Sequence, residues 1–177
     1  TKAQVIETSR SIWDNGIVLT SKKDGKTRFA LNMRELNRIS TRQNYNLPSI
    51  ADAFDSLGGA KFFSCLDFQA AFWQCQLDNE SKQKTAFSTP WGRKYQFQVL
   101  PFGWINSGAV FNRLMTQIFE EPRRNTNGDL EPIHFGCVLI YVDDVIVFSK
   151  TYEQHVQDLD IVLTRLLQEG VHLNPKK

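Results

Sequence analysis

The sequence has 177 residues, of which 41% are hydrophobic and 12% aromatic, so it can build a core and a globally disordered chain is excluded. Its three cysteines are never spaced C-x-x-C, which argues against a disulfide framework and a structural zinc site. The formal net charge of +2 is lower than that of many duplex-binding proteins, so composition alone gives no evidence of a nucleic-acid partner. A strongly charged local surface is still compatible with this small net charge, because the negative charges of a metal site would cancel the positive charges of a phosphate site in the sum.

The first half of the sequence predicts two β-hairpins, a short helix and one further buried strand. The pair Asp24-Gly25 marks the turn of the first hairpin, and Pro90-Trp91-Gly92 marks the turn of the second. In chain order the predicted elements are strands 16–23 and 27–33, a helix over 48–57, a buried strand over 61–67, and strands 83–89 and 93–100.

The second half predicts two helices on either side of a strand pair. A helix over about 106–120 carries apolar residues at three- and four-residue intervals. Strands 133–142 and 145–149 are apolar at both alternating positions, which predicts burial on both faces. A final helix over about 152–169 ends at Gly170, and its predicted core side consists of Val156, Leu159, Val162, Leu163, Leu166 and Leu167.

The predicted fold is therefore α+β, with hairpins and a small antiparallel sheet backed by helices. No linker long enough to separate two independent domains is present, so we expect a single unit over 1–177. We also expect a piece of a longer protein, because the chain opens without Met and stops at Pro175-Lys176-Lys177 without a terminating pattern. No signal peptide and no apolar run of membrane-spanning length is present.

Two adjacent acids, Asp143 and Asp144, interrupt the apolar strand pair. A solvated turn is the ordinary explanation for such residues. A second apolar strand, however, also ends in an acid, Asp67. Carboxylates at two strand ends can converge on hard divalent cations such as Mg²⁺, which prefer oxygen ligands. In two-metal sites one ion activates the attacking hydroxyl and the other holds the phosphates and the leaving group.

The chain resembles the reverse transcriptases of retroviruses and LTR retrotransposons, and the gypsy-type retrotransposon group is the most similar. The resemblance runs from about Trp13 to Lys177 and rests on ordered motifs rather than on any one of them. These motifs are Lys22-Lys23-Asp24-Gly25-Lys26-Thr27-Arg28-Phe29, Arg34-Glu35-Leu36-Asn37, Leu66-Asp67-Phe68 with Phe72 and Gln74, Lys84-Thr85-Ala86-Phe87, Leu100-Pro101-Phe102-Gly103, Tyr141-Val142-Asp143-Asp144 and Leu173-Asn174-Pro175-Lys176-Lys177.

The resemblance implies a role for each matching residue. Asp67 and Asp143 match the metal ligands, Asp144 matches a supporting acid, and Phe68 matches a residue whose backbone carbonyl touches a metal. Lys177 matches a lysine near the pyrophosphate, a candidate general acid. The implied nucleotide-binding residues are Lys22, Arg28, Ala70, Ala71, Phe72, Phe102 and Gly103. Among these, Lys22 and Arg28 match residues that grip the triphosphate. Phe72 matches an aromatic gate that leaves no room for a 2′-hydroxyl.

The same resemblance implies a polymerase palm with an interleaved fingers subdomain and no thumb. The fingers would cover about 1–57 and 76–106, and the palm about 58–75 and 107–177. It implies an RNA-directed DNA polymerase with two Mg²⁺ ions, for which Mn²⁺ could substitute. The implied partners are a primer on an RNA or DNA template and dNTPs. Thumb, RNase H and integrase regions of a Pol polyprotein would follow, and the location would be intracellular and cytoplasmic, with virus-like particles as one setting.

Three other functions stay open from the sequence. A catalytically inactive remnant could bind nucleic acid or a partner protein, although the intact acids speak against decay. An RNA-dependent RNA polymerase shares the palm, and the aromatic gate at Phe72 speaks against it. A phosphodiester nuclease could use the same acids, but the sequence places no His or Lys beside them as a general base.

Overall fold

The computed structural model of the chain describes residues 5–21, 25, 27–44, 54–120, 136–141 and 144–175, with the backbone alone for Arg28 and Glu120. Two compact units are present. The first unit consists of Thr1–Gln43 and Ala70–Gly108, and the second of Asn44–Gln69 and Ala109–Lys177. The division into fingers and palm stays a prediction, and its bounds differ from those of these units.

The described elements confirm the predicted α+β class. In chain order they are β1 (Ile6–Thr8), β2 (Gly16–Ser21), β3 (Thr27–Asn32), α1 (Arg34–Ile39), β4 (Phe62–Asp67), a 3₁₀ turn (Ala71–Gln74), α2 (Asn79–Lys84), β5 (Phe87–Ser88), β6 (Lys94–Phe97), α3 (Ser107–Glu120), β7 (Val138–Tyr141), β8 (Asp144–Ser149) and α4 (Tyr152–Gln168). Of the helix predicted over 48–57, residues 54–56 are helical and 48–53 lie outside the described residues. No helix in the described part of the chain is both long and apolar enough to cross a membrane.

The first unit combines the antiparallel sheet β1–β6–β5 with the hairpin β2–β3. Its core is formed by buried apolar residues from β3, α1 and the second hairpin: Leu31, Met33, Leu36, Phe87, Phe97 and Val99. Both predicted hairpins are therefore present. The strand predicted over 83–89 is wrong in its first half, because residues Asn79–Lys84 form α2. The Asp78 carboxylate caps this helix by accepting from the Ser81 backbone N–H at 2.9 Å, a signal that the strand prediction overlooked.

The second unit contains the antiparallel sheet in the order β4–β8–β7. Alternate residues of β8 are buried, and Val145 and Val147 are fully enclosed. Helix α4 packs against this sheet and contacts β8 most extensively. The prediction of burial on both faces is wrong for β8, which is buried only at alternate residues, whereas every residue of β7 is half-buried and residues 133–135 and 142 lie outside the described residues. The prediction of a wholly buried β4 is also wrong, since Phe63 and Cys65 are exposed. Long apolar runs do not distinguish a sheet covered on one face from one covered on two.

The predicted core side of α4 is only partly correct. Val162 and Leu166 are buried as expected, but Val156 and Leu163 are exposed and Leu167 is 78% exposed. The buried polar positions of this helix are His155, Asp158 and Arg165.

A hydrogen-bond chain explains why polar residues occupy this face. The Ser149 hydroxyl donates to Asp158 Oδ2 at 2.6 Å and, having a single proton, accepts from His155 Nδ1 at 3.0 Å. His155 Nε2 lies 2.9 Å from the Ser64 hydroxyl of β4. Buried polar groups are tolerated when they are satisfied in this way, so the network ties α4 to both β4 and β8.

Candidate active site

Two of the three predicted metal-binding acids lie opposite each other at one end of the second unit's sheet. Asp67 ends β4, Asp144 begins β8, and the two are direct partners in the antiparallel ladder. Residues paired in this way project from the same face with Cβ atoms about 4.5–5.5 Å apart. Asp143, the third predicted acid, lies outside the described residues together with Val142.

The acids lie on the solvent-facing side of the sheet. Because side chains alternate along a strand, Asp144 faces away from Val145, which is fully buried against the helical side. Asp144 is exposed and Asp67 is half-buried. Carboxylates are costly to bury without partners, so the alternation places them where ionised groups are stable and accessible to ligands.

The segment that follows α4 holds Asp67 in position. The Asn174 side-chain amide donates to Asp67 Oδ2 at 3.1 Å, and the Asn174 backbone N–H donates to the Asp67 carbonyl at 2.9 Å. Phe68 and Leu173 form a β-bridge next to these bonds. The sequence-based prediction assigned no role to Asn174, although it belongs to the motif Leu173-Asn174-Pro175-Lys176-Lys177. Lys177 itself lies outside the described residues.

Phe68, predicted to offer a backbone carbonyl to a metal, is anchored by its side chain. The ring is buried and meets Phe111 of α3 edge to face, with centroids 5.2 Å apart. An aromatic pair of this kind contributes about 0.5–1.5 kcal/mol to stability in addition to the energy of burying its apolar surface. The backbone beside Asp67 is therefore fixed by packing on one side and by the bridge on the other.

The Cys65 thiol reports the electrostatic field around the acids. Cys65 lies two residues before Asp67 and so shares its face of the sheet. Although the residue is exposed, partial desolvation of its thiol raises the pKa, and the negative charges of Asp144 and Asp67 raise it further. Among the described residues no group of three or more His, Cys, Asp or Glu is placed to hold a metal ion, so the described part of the site supplies two carboxylates.

The predicted nucleotide-binding residues of the first unit form an aromatic cluster. Phe72, in the 3₁₀ turn, lies against Phe102 with ring centroids 5.1 Å apart, and Trp73 meets the same Phe102 ring at 5.9 Å. Ala70, which precedes the turn, has a φ of 51°, in the left-handed region that non-glycine residues seldom occupy. The backbone at Ala70 thus departs from regular structure immediately before the turn that carries Phe72, the predicted gate.

Side chains of α1 fasten the loop that carries Phe102. The Asn37 side chain donates to the Gly103 carbonyl and accepts from the Ile105 N–H, each at 2.9 Å. Asn106 is buried and accepts from the Gln43 backbone N–H at 3.0 Å. These amide clamps connect positions far apart in the sequence, and pattern reasoning missed them.

Gly103 is required by both conformation and space. Its φ is 100°, and a Cβ atom there would lie 3.3 Å from the Leu31 carbonyl oxygen. Only glycine adopts this backbone without strain.

The predicted triphosphate-binding residues are the least defined. Arg28 lies in β3 opposite Thr20, and the structure describes its backbone but not its side chain. Lys22 lies outside the described residues. Their roles stay predictions, as do those of the other candidate site residues.

Comparison with known families identifies this arrangement. Residues 20–177 match the family model described as reverse transcriptase (RNA-dependent DNA polymerase). The chain belongs to the reverse transcriptase family. The match covers most of the chain, including both acids and the Phe72 cluster, so the family predicted from the motifs is confirmed.

Similar proteins are viral and retrotransposon polyproteins. The enzymatic polyprotein of cauliflower mosaic virus (strain Strasbourg) is 35% identical over 156 residues, which cover 88% of this chain and 21% of that protein. The retrovirus-related Pol polyprotein from transposon opus of Drosophila melanogaster is 34% identical over 179 residues, which cover 98% of this chain and 17% of that protein. This reverse transcriptase domain therefore spans about a fifth of the length of these relatives.

Solved structures agree with the fold. The foamy viral protease–reverse transcriptase dRH in complex with double-stranded DNA has a TM-score of 0.79 and 26% identity, over 96% of this chain and 28% of that one. The foamy viral protease–reverse transcriptase in complex with an RNA/DNA hybrid has a TM-score of 0.77 and 25% identity, over 98% of this chain and 22% of that one. The predicted fold class is confirmed by these matches.

Proposed function

We propose that this domain is the core of an RNA-directed DNA polymerase that adds deoxynucleotides to a primer 3′ end and releases pyrophosphate. The observation that carries the proposal is the pairing of Asp67 with Asp144 on the exposed face of the sheet, in a chain of this family. The names of the relatives support a place within a Pol polyprotein. Thumb, RNase H and integrase regions would then follow, and an intracellular location is part of the proposal.

Asp67 and Asp143, with Asp144 as a supporting acid, are the residues that would hold two Mg²⁺ ions, or Mn²⁺ in their place. Carboxylate oxygens suit a hard divalent cation. When bound, such ions make the primer 3′-hydroxyl more acidic and neutralise the charge of the triphosphate. The protein contributes rigidity, since Asn174 orients the Asp67 carboxylate.

The residues of the first unit would select and orient the incoming dNTP. The Phe72 ring would face the sugar, and its contact with Phe102 would resist displacement by a 2′-hydroxyl. Lys22 and Arg28 would neutralise the phosphates, Arg28 with a fork of donors. Ala70, Ala71 and Gly103 would line the site with backbone, and Lys177 would protonate the leaving pyrophosphate. Structures of foamy viral enzymes with DNA and with an RNA/DNA hybrid support primer–template as the partner.

Primer extension on poly(rA)·oligo(dT) with Mg²⁺ or Mn²⁺ tests the proposal. We expect Asp67→Asn and Asp143→Asn each to lower the extension rate at least about a hundredfold, the scale of losing one preorganised electrostatic group, and Asp144→Asn to lower it less. Asp160→Asn, an exposed acid on α4, is the matched control and should retain full activity. The assay uses both this domain and a longer protein that includes the regions proposed to follow it, and a folded but inactive longer protein would favour a nucleic-acid-binding remnant. Full activity in Asp67→Asn would refute the assignment of the acids.

A further inference from the structure

The first unit contains a second concave surface, which we call the aromatic groove. It has a volume of about 830 Å³, within the range of roughly 300–1,000 Å³ typical of ligand sites. Six of its ten lining residues are aromatic: Phe29, Trp73, Phe87, Trp91, Tyr95 and Phe97. Phe87 and Phe97 are buried and form its floor, whereas Trp91 and Arg93 are exposed at its rim.

The rim is held rigidly by the turn between β5 and β6. The Thr89 N–H donates to the Arg93 carbonyl at 2.8 Å, and the Arg93 N–H donates to the Thr89 hydroxyl at 3.2 Å. Gly92 closes the turn with a φ of 76°. These bonds order the backbone that carries Trp91, whose side chain is 84% exposed and so open to a partner.

The charge of the first unit selects the kind of occupant. Its segments, 1–43 and 70–108, contain 13 Lys or Arg and 6 Asp or Glu, which gives +7. The second unit contains 8 and 13, which gives −5, so the total of +2 conceals a strong separation of charge. At the rim of the groove the basic residue is Arg93, which is exposed. A flat, anionic occupant matches both the aromatic wall and the basic rim.

We propose that the aromatic groove binds unpaired, single-stranded nucleic acid, with a base stacked on Trp91 and a phosphate at Arg93. Stacking on aromatic side chains beside a basic surface is the general way in which proteins hold single strands. The inference rests on the proposed function in one respect, because it takes the unpaired template as the strand. Two positively charged copies of this unit would repel each other, which argues against self-association as the use of the groove.

Fluorescence anisotropy at low salt tests the inference on the 177-residue chain. The probes are two labelled RNA–DNA primer–templates, one flush-ended and one whose template extends several unpaired nucleotides past the primer 3′ end. We expect the overhang to raise affinity in the wild type. Trp91→Ala should lower the affinity for the overhang probe about 5- to 150-fold, which is the range expected for the loss of one stacked base. Trp91→Phe should retain most of it, because Phe keeps a stacking face.

Two controls separate stacking and charge from general effects. Ile12→Ala removes an exposed apolar side chain elsewhere in the first unit and should leave both affinities unchanged. Arg93→Gln should lower the salt dependence of overhang binding by about 0.7 in log–log slope, as expected for one phosphate on a single strand. Arg38→Gln, on the exposed side of α1, should not lower it.

The outcomes distinguish this inference from the proposed function. An overhang that adds no affinity, or a Trp91→Ala variant equal to Ile12→Ala, would overturn the groove assignment even if the chain extends primers. A change in sedimentation caused by Trp91→Ala, without a change in RNA binding, would instead assign the groove to self-association. Loss of overhang binding in Trp91→Ala would support the groove even if a folded longer protein extends no primer, a result that would overturn the polymerase proposal alone.

Discussion

Replacing Phe72 tests how this domain would distinguish deoxynucleotides from ribonucleotides. A compliant apolar pocket rejects an added hydroxyl only about a hundredfold, so a stronger selection requires a ring that cannot retreat. The structure offers a support for the ring, because Phe102 packs against Phe72 with ring centroids 5.1 Å apart. Phe72→Ala removes the ring itself, and we expect it to lower the preference for dTTP over rUTP by about a hundredfold or more.

Phe102→Ala gives a smaller and calculable effect, because it leaves the Phe72 ring in place and removes its support. An aromatic pair contributes about 0.5–1.5 kcal/mol beyond buried area, which corresponds to roughly a 2- to 13-fold loss of selection. Single-turnover incorporation of dTTP and rUTP on poly(rA)·oligo(dT) measures both ratios. Phe54→Ala, which removes an exposed ring of the second unit, is the control and should leave the ratio unchanged. An unchanged ratio in Phe72→Ala would refute the gate, and equal losses in both variants would refute the supporting role of Phe102.

Three further predictions concern stability. Asn37→Ala removes both bonds from α1 to the loop carrying Phe102, and urea denaturation should show a loss of about 1–2 kcal/mol, with Asn37→Asp intermediate. Ser149→Ala interrupts the His155–Asp158 connection and should cost about 1–3 kcal/mol, whereas an unchanged midpoint would show that the network is not stabilising. Burial raises the pKa of the Cys75 thiol from 9.0 to about 11, so the folded state keeps the proton that the unfolded state loses. Stability is therefore complete below pH 9 and should fall by about 1–2 kcal/mol as the pH rises to 11, and Cys75→Val should abolish that part of the fall.

The position of the acids could be predicted from sequence because it depends on local signals. An apolar strand ending in Asp67 and an apolar strand beginning at Asp144 each define a strand end, and the family motifs pair them. The side of the sheet that they occupy could not be predicted in the same way. The strands carry apolar residues at both alternating positions, so the sequence does not show that β8 is buried on one face only. The acids Asp144 and Asp67, which pair across the strands, lie on the other, exposed face.

The buried face of α4 was mispredicted because periodicity counts only apolar residues. Leu163 and Leu167 fit the helical spacing but are exposed, while His155 and Asp158 are buried. Their burial is possible because they bond to each other through Ser149, which lies outside the helix. The amides of Asn37, Asn106 and Asn174 were missed for a related reason, since their partners are 63 to 107 residues away along the chain.

The net charge of the chain gave no evidence of a nucleic-acid partner, because it adds together two sets of residues with opposite charges. A divalent-metal site needs carboxylates, whereas a phosphate or single-strand surface needs Lys and Arg, and one total cancels them. The fold separates the two sets, with +7 on the first unit and −5 on the second. The separation is invisible along the sequence, because the segments of the two units alternate and Asp67 precedes Ala70, the first residue of the next segment, by only three positions. Two units of opposite net charge can therefore exist in a chain whose composition is nearly neutral, and the positive one carries Trp91 and Arg93.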